Sequence, residues 1–283
     1  MDCENKSKAP ADLSEHVERE RGGKNAPSTL ATQVYERLRD DIVLGALAPD
    51  RRLTLDLLRE RYGLGMTPLR EALYRLSSSK LVTLEDRRGF RVAPVSPMHL
   101  AEVIELREAV ETMLLRDAFK HADLHWEEQI VAAYHRLQRT AEYKFNPGPY
   151  TSEWEAAHRG FHFALLSAAR LPMLREFHLS LWDHVSRYRN LAYAGKKMST
   201  AVFEGHEQLM EAALARDEEL ASVLLRRHIT LATAHIMQWL FPAQAQAAGT
   251  QSSHQRSKLP AGEPHMEVSS AGARSTSLST GGD

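Results

Sequence analysis

The spacing of apolar positions changes character once along the chain. From residue 28 to 95, short helical patterns are separated by turns and end in two strand-like runs. From 96 to 242 the apolar positions recur only at helical spacing. In "TLATQVYERLRDDIVLGAL", Val34, Leu38, Ile42 and Val43 share a face, with Ser28 or Thr29 as the cap and Gly45 near the stop. Pro49 starts a turn. "TLDLLRERYG" predicts a short second helix, with Thr54 at its N-cap and Gly63 at its end. "TPLREALYRLSSSK" predicts a third, with Thr67 at the N-cap, Pro68 at the first helical position, and Leu69, Leu73 and Leu76 buried. "LVTLEDRRGFRVAPV" reads as two short strands around a charged turn ending in Gly89.

Beyond Ser96 and Pro97, helices are expected near 97–120, 124–145, 151–169, 172–193, 198–215 and 217–240. Breaks fall at "FNPGP", "RLP", "YAGKK" and "ARDEE". With no strand signal there, the fold class is mainly α: a winged helix-turn-helix with a small hairpin, then an all-α bundle. The flanks differ. Residues 1–27 are charged, small or helix-breaking, and 243–283 are rich in Ser, Gly, Ala and Thr. Neither flank can bury enough apolar surface to offset ordering, so both are expected to be disordered.

Composition narrows the class. At 283 residues, 43% hydrophobic and 26% charged, the chain has room for two cores. No apolar run approaches the roughly 18 residues of a membrane helix, and the polar N-terminus lacks a secretory pattern. Cys3 is the only cysteine, which excludes a disulfide framework and fits a reducing cytoplasm. The net charge of −1 hides a mild split: 12 Lys/Arg against 9 Asp/Glu from Ser28 to Val95, and 16 against 19 from Ser96 to Pro242.

A basic front segment built as helix, helix, turn, helix and hairpin is the order of a winged DNA reader. Its third helix would lie in the major groove of duplex DNA, with Thr67 and Arg70 at its leading end. Arg87 and Arg88, beside Gly89 at the hairpin tip, would approach the backbone or a neighbouring groove.

The bundle carries histidine where leucine is expected. His158 and His162 in "HRGFH" stand one turn apart on a stripe that continues through Leu165 and Ala169. His206 heads a stripe with Leu209, Met210 and Ala213, and Leu224, Leu225, His228, Leu231 and His235 form another. A single buried histidine is usually a satisfied core residue. Imidazole on three inward faces points instead to a shared centre for a borderline divalent ion such as zinc or nickel. Arg107 also breaks an inward stripe, Leu100, Val103, Arg107, Val110 and Leu114. A buried guanidinium needs an anion. That anion is either a glutamate of the same or a neighbouring helix, or the carboxylate of a small effector. Arg187 and Tyr188 are candidates for the far end of such a ligand, with exposed helix surface as the other reading for Arg187. A metal-dependent enzyme and a purely structural metal bundle remain alternatives. However, no "HExxH", phosphate loop or nucleophile elbow is present.

The stretch "LRDDIVLGALAPDRRLTLDLLRERYGLGMTPLREALYRLSSSKLVTLEDRRGFRVAPVS" resembles the DNA-binding domain of GntR-family bacterial transcription regulators, most specifically at "TPLREALYRL". The helical part resembles the FCD class of that family. "LLRERYGLGMTPLREAL" and "WEAAHRGFH" look most like its carbon-starvation-induced regulator subgroup. The resemblance implies a homodimer on an inverted-repeat operator, acting as a repressor and controlled by a small carboxylate or dicarboxylate such as glutarate. It also implies a metal held by His162, His206 and His228, with His158 at the position of the family's aspartate. An all-nitrogen site favours zinc, nickel or copper over manganese. Two DNA contacts of the family do not carry over: Met66 and Asp56 stand where basic residues are common.

Overall fold

The computed structural model describes residues 29–140, 152–194 and 201–244; of residues 201–204 it describes the backbone alone. The expected N-terminal arm, the "FNPGP" break, part of "YAGKK" and nearly all of the expected tail lie outside the described residues. The described residues up to Phe241 belong to one compact unit.

The reader begins with α1 (Leu30–Val43), whose N-cap Thr29 accepts a hydrogen bond from the Thr32 amide. Thr54 does the same for α2 (Leu55–Tyr62), which stops where Gly63 turns left-handed, as its sequence requires. The third helix, α3 (Met66–Ser78), starts two residues earlier than expected. Gly65 is its N-cap without a side-chain hydrogen bond, so Thr67 is not the cap and lies inside the first turn. Pro68 is tolerated there because the first helical amides have no intrahelical acceptor.

β1 (Arg52–Leu53) was not anticipated. It pairs with β3 (Gly89–Val92), which also pairs with β2 (Val82–Glu85), giving the antiparallel order β1-β3-β2. Two residues of strand carry too little periodicity to be read locally; the pairing with Phe90 and Arg91 creates β1. Leu38, Ile42, Leu58, Leu69, Leu73, Leu76 and Val82 close the reader's own core.

The bundle comprises α4 (Pro97–His121), α5 (Leu124–Thr140), α6 (Ser152–Leu165), α7 (Pro172–Tyr193), α8 (Ala201–Leu214) and α9 (Glu218–Leu240). Its core gathers Val110, Leu114, Trp126, Ile130, Trp154, Phe161, Leu165, Val185, Leu209 and Leu225. On α9 the inward face is shifted from the expected stripe: Leu225, His228 and Ile229 are buried, whereas Leu231 is 46% exposed.

Helix α7 joins the two parts. Every residue from Leu181 to Asn190 is buried, polar and charged ones included. A helix covered all round has neighbours on every side. On one side Asn190 Nδ2 donates to the Val43 carbonyl at 3.0 Å, and His184 Nε2 lies 2.9 Å from the Ser79 carbonyl oxygen. Both acceptors belong to the reader. Arg187 donates to the Ala93 carbonyl, and the Ser96 amide donates to Tyr188 Oη at 3.1 Å.

Candidate metal centre

His158 and His162 project from one face of α6, His206 from α8 and His228 from α9. All four are buried, and each offers a ring nitrogen within 4.8 Å of those of the others. The Nε2 atoms of His158 and His162 stand 3.2 Å apart. Two nitrogens each bound to one zinc at about 2.0–2.1 Å, at the tetrahedral angle, would stand roughly 3.3 Å apart. That pair therefore has the spacing of two adjacent ligands on one divalent ion, and the other two rings lie close enough to share it.

Local sequence builds this convergence. The i, i+4 pair needs only a helix. The approach of α8 to α9 needs Gly205: a Cβ there would lie 3.0 Å from His228 Nδ1. Trp154 stacks on His158 at 4.5 Å between centroids, and the Trp182 ring lies 5.5 and 5.2 Å from His158 and His162. These rings wall the centre with apolar surface.

That surface sets the protonation state. Burial, then the charge of Arg189, holds His158 well below the usual imidazole range. Burial does the same to His162 and His228, reinforced first by the neighbouring histidine in each case. These three rings are neutral, with the lone pair that metal ligation needs.

Two buried ion pairs flank the histidines. Arg107 Nε meets Glu111 Oε1 at 2.5 Å, and His178 Nε2 reaches the same oxygen at 3.0 Å. Burial alone would raise the Glu111 carboxyl; the Arg107 charge and the His178 hydrogen bond outweigh it and take it down to about 2. The other pair is Arg189, whose Nε donates to Glu155 Oε2 at 2.8 Å and whose Nη2 donates to Oε1 at 2.5 Å. Both guanidiniums lie against Trp182, at 4.7 Å for Arg107 and 5.1 Å for Arg189. Of the two readings for Arg107, the internal glutamate is present. Its Nη2 is nevertheless buried without a hydrogen-bond partner.

Arg187 and Tyr188 are not brought to this centre. Arg187 is 1% exposed, so it is not helix surface, and its guanidinium turns to Ala93. Tyr188 Oη meets the Ser96 backbone and lies 2.9 Å from His99 Nδ1. Both belong to the junction between reader and bundle. On a helix buried on all sides, periodicity cannot say which buried face serves which neighbour.

The expected DNA-facing residues are exposed. Thr67 and Arg70 lie on the outer face of α3, beside Met66, Glu71, Tyr74 and Arg75. Arg87, Arg88 and Gly89 form the exposed tip of the hairpin, with Arg87 and Gly89 both at positive φ. Sequence reasoning missed Glu111, His178, Glu155 and Arg189. A signal existed for Glu111, four residues after Arg107 and so on the same inward face. No local signal distinguished Arg189 from Arg187.

Comparison with known proteins accounts for both parts. Residues 30–92 match the family described as bacterial regulatory proteins, gntR family, and residues 102–231 match the FCD domain. The chain is 35% identical over 212 residues to BphR of Paraburkholderia xenovorans (strain LB400), an HTH-type transcriptional regulator of uncharacterized function. That alignment covers 75% of this chain and 86% of BphR. It is 33% identical over 199 residues to the HTH-type transcriptional repressor GlaR of Escherichia coli (strain K12), covering 69% and 90%. Among solved structures, Escherichia coli McbR/YncC superposes with a TM-score of 0.64 at 25% identity, covering 75% of this chain and 98% of that one.

Proposed function

Because the chain belongs to the GntR family of bacterial regulators and carries an FCD domain, it is a DNA-binding transcriptional regulator and not an enzyme; we propose that its operator binding is controlled by a small carboxylate at a divalent-metal site in the helical domain. A homodimer would place one α3 in each half of an inverted repeat, with Thr67 and Arg70 toward the bases and Arg87, Arg88 and Gly89 at the flanking backbone. The direction proposed is repression, the role named for the relative GlaR.

His158, His162, His206 and His228 would hold the ion, and four imidazoles suit zinc or nickel. A bound divalent ion supplies a positive centre that a carboxylate oxygen can complete. Charge balance supports an anionic effector. The pairs Arg107–Glu111 and Arg189–Glu155 each sum to zero. Neutral rings cannot offset the two positive charges such an ion brings into a buried site. A dicarboxylate would offset both, with the unpartnered Arg107 Nη2 offering it a donor.

One observation carries the coupling of the site to DNA. Helix α7 brings His178, Trp182 and Arg189 to the centre, while His184, Arg187 and Asn190 grip the reader and its connection to the bundle. A ligand that draws α7 toward the histidines also moves the groups that hold α1 and the end of α3. The effector shifts DNA affinity only by its different affinity for the two arrangements.

The test is operator binding by fluorescence anisotropy, on DNA recovered by genomic selection, with zinc-loaded and chelated protein and a series of mono- and dicarboxylates. Loss or gain of operator affinity with one diacid, abolished by chelation, is expected. Affinity unmoved by chelation and by every acid would leave the histidines as a structural centre only.

A further inference from the structure

Glu111 carries a second carboxylate oxygen that Arg107 and His178 do not use. Oε2 is buried without a hydrogen-bond partner, and so is His162 Nδ1. The two orphaned atoms face each other at 3.9 Å. The other nitrogen of the same ring, Nε2, is the one turned toward His158 Nε2. The His162 ring thus lies with one nitrogen toward the ligand cluster and the other toward a buried carboxylate.

An imidazole has one proton to distribute between two nitrogens when neutral. If Nε2 gives its lone pair to an ion, the proton sits on Nδ1, and an ordered acceptor there fixes both tautomer and ring orientation. Building on the metal reading above, we infer that Glu111 is the positioning residue of the metal centre: its Oε2, 3.9 Å from His162 Nδ1, moves into hydrogen-bond range when Nε2 ligates, accepts the Nδ1 proton and holds the ring in the ligating tautomer. The pairing of Oε1 with Arg107 and His178 is part of the device, because it pins the carboxylate so that Oε2 points at the ring. Glu155, the other buried carboxylate flanking the cluster, is already held by Arg189 and Ser186.

Glu111→Gln separates this role from packing, because the amide keeps the shape. Its NH2 group, turned to His162 Nδ1, would demand a lone pair there and push the proton to Nε2, the wrong tautomer for ligation. Zinc affinity is read by competition with a chromogenic chelator, and folding of the metal-free protein by circular dichroism. A 10- to 100-fold weaker zinc affinity is expected, the range seen when outer-shell partners of metal ligands are removed. Should the lone Arg107 charge prevent folding, Arg107→Met combined with Glu111→Gln removes both charges and should show the same weakening.

Nitrogen-15 spectra of zinc-loaded wild type, assigned with a His162→Gln control, should show His162 protonated at Nδ1. Wild-type affinity in a folded variant, or His162 protonated at Nε2, would overturn the inference while leaving the metal reading standing. Wild type that takes up no zinc would overturn both, and the titration tells the two failures apart.

Discussion

Protonating His184 should loosen the joint between reader and bundle, and the structure sets the size of the effect. His184 lies on α7, 6% exposed, with Nε2 2.9 Å from the Ser79 carbonyl oxygen at the end of α3. Nδ1 is buried without a partner. Burial holds the ring down to about 4; the Ser79 hydrogen bond pulls the other way, and the nearby charges of His99 and Arg187 add to the depression. The unfolded chain has an ordinary value of about 6.5. The folded protein therefore binds this proton less readily than the unfolded chain. The contribution to stability is whole above about pH 6.5 and is lost as pH falls toward 4. It amounts to about 3 kcal/mol in full, of which about 2 kcal/mol is gone by pH 5.

Other buried histidines titrate in the same direction, so a difference measurement isolates this one. His184→Gln keeps a donor for Ser79 and cannot titrate. Urea unfolding of metal-free wild type and variant at pH 7.5 and pH 5 should show the wild type losing about 2 kcal/mol more than the variant. Equal losses in the two proteins would refute the reasoning.

Arg70→Ala should weaken operator binding by about 1–3 kcal/mol if the guanidinium reads a base, and should leave the melting temperature nearly unchanged because the side chain is exposed; unaltered anisotropy titrations would remove it from the interface. Arg107→Met should bind zinc more weakly, because Glu111 loses one of the two groups that pin it, and at saturating zinc should lose the effector-induced thermal shift, which for wild type at 100 times the dissociation constant corresponds to about 2.7 kcal/mol. A full shift would make this arginine structural. Gly205→Ala should weaken zinc binding by crowding His228, a 3.0 Å approach that forces the ring to give way. Its metal-free stability should change by less than about 1 kcal/mol, since alanine's helix propensity opposes the crowding. Wild-type zinc affinity would show that the ring relaxes freely.

The parts of this protein legible in one dimension are those set by near neighbours. Apolar spacing, Thr54 as a cap and Gly63 as a stop are local chemistry, so the helices of the reader and the full span of α7 follow from them. His158 and His162 share a face because a helix repeats every 3.6 residues, and imidazole at leucine positions on α8 and α9 marked the other two. The cap of α3 was misplaced because Gly65 needs no side chain to serve there. Strand β1 exists only through its pairing with β3.

What the sequence alone determined, then, is the fold class, the order of a winged reader before a helical bundle, and the four histidines as a set. Tertiary structure decided the partners. Arg107, Arg187 and Arg189 are all buried arginines, yet packing sends one to Glu111, one to the Ala93 carbonyl and one to Glu155. Periodicity records that a side chain is buried. Which neighbour buries it depends on how helices distant in sequence cross, and on α7 neighbours on all sides erase even the periodic signal.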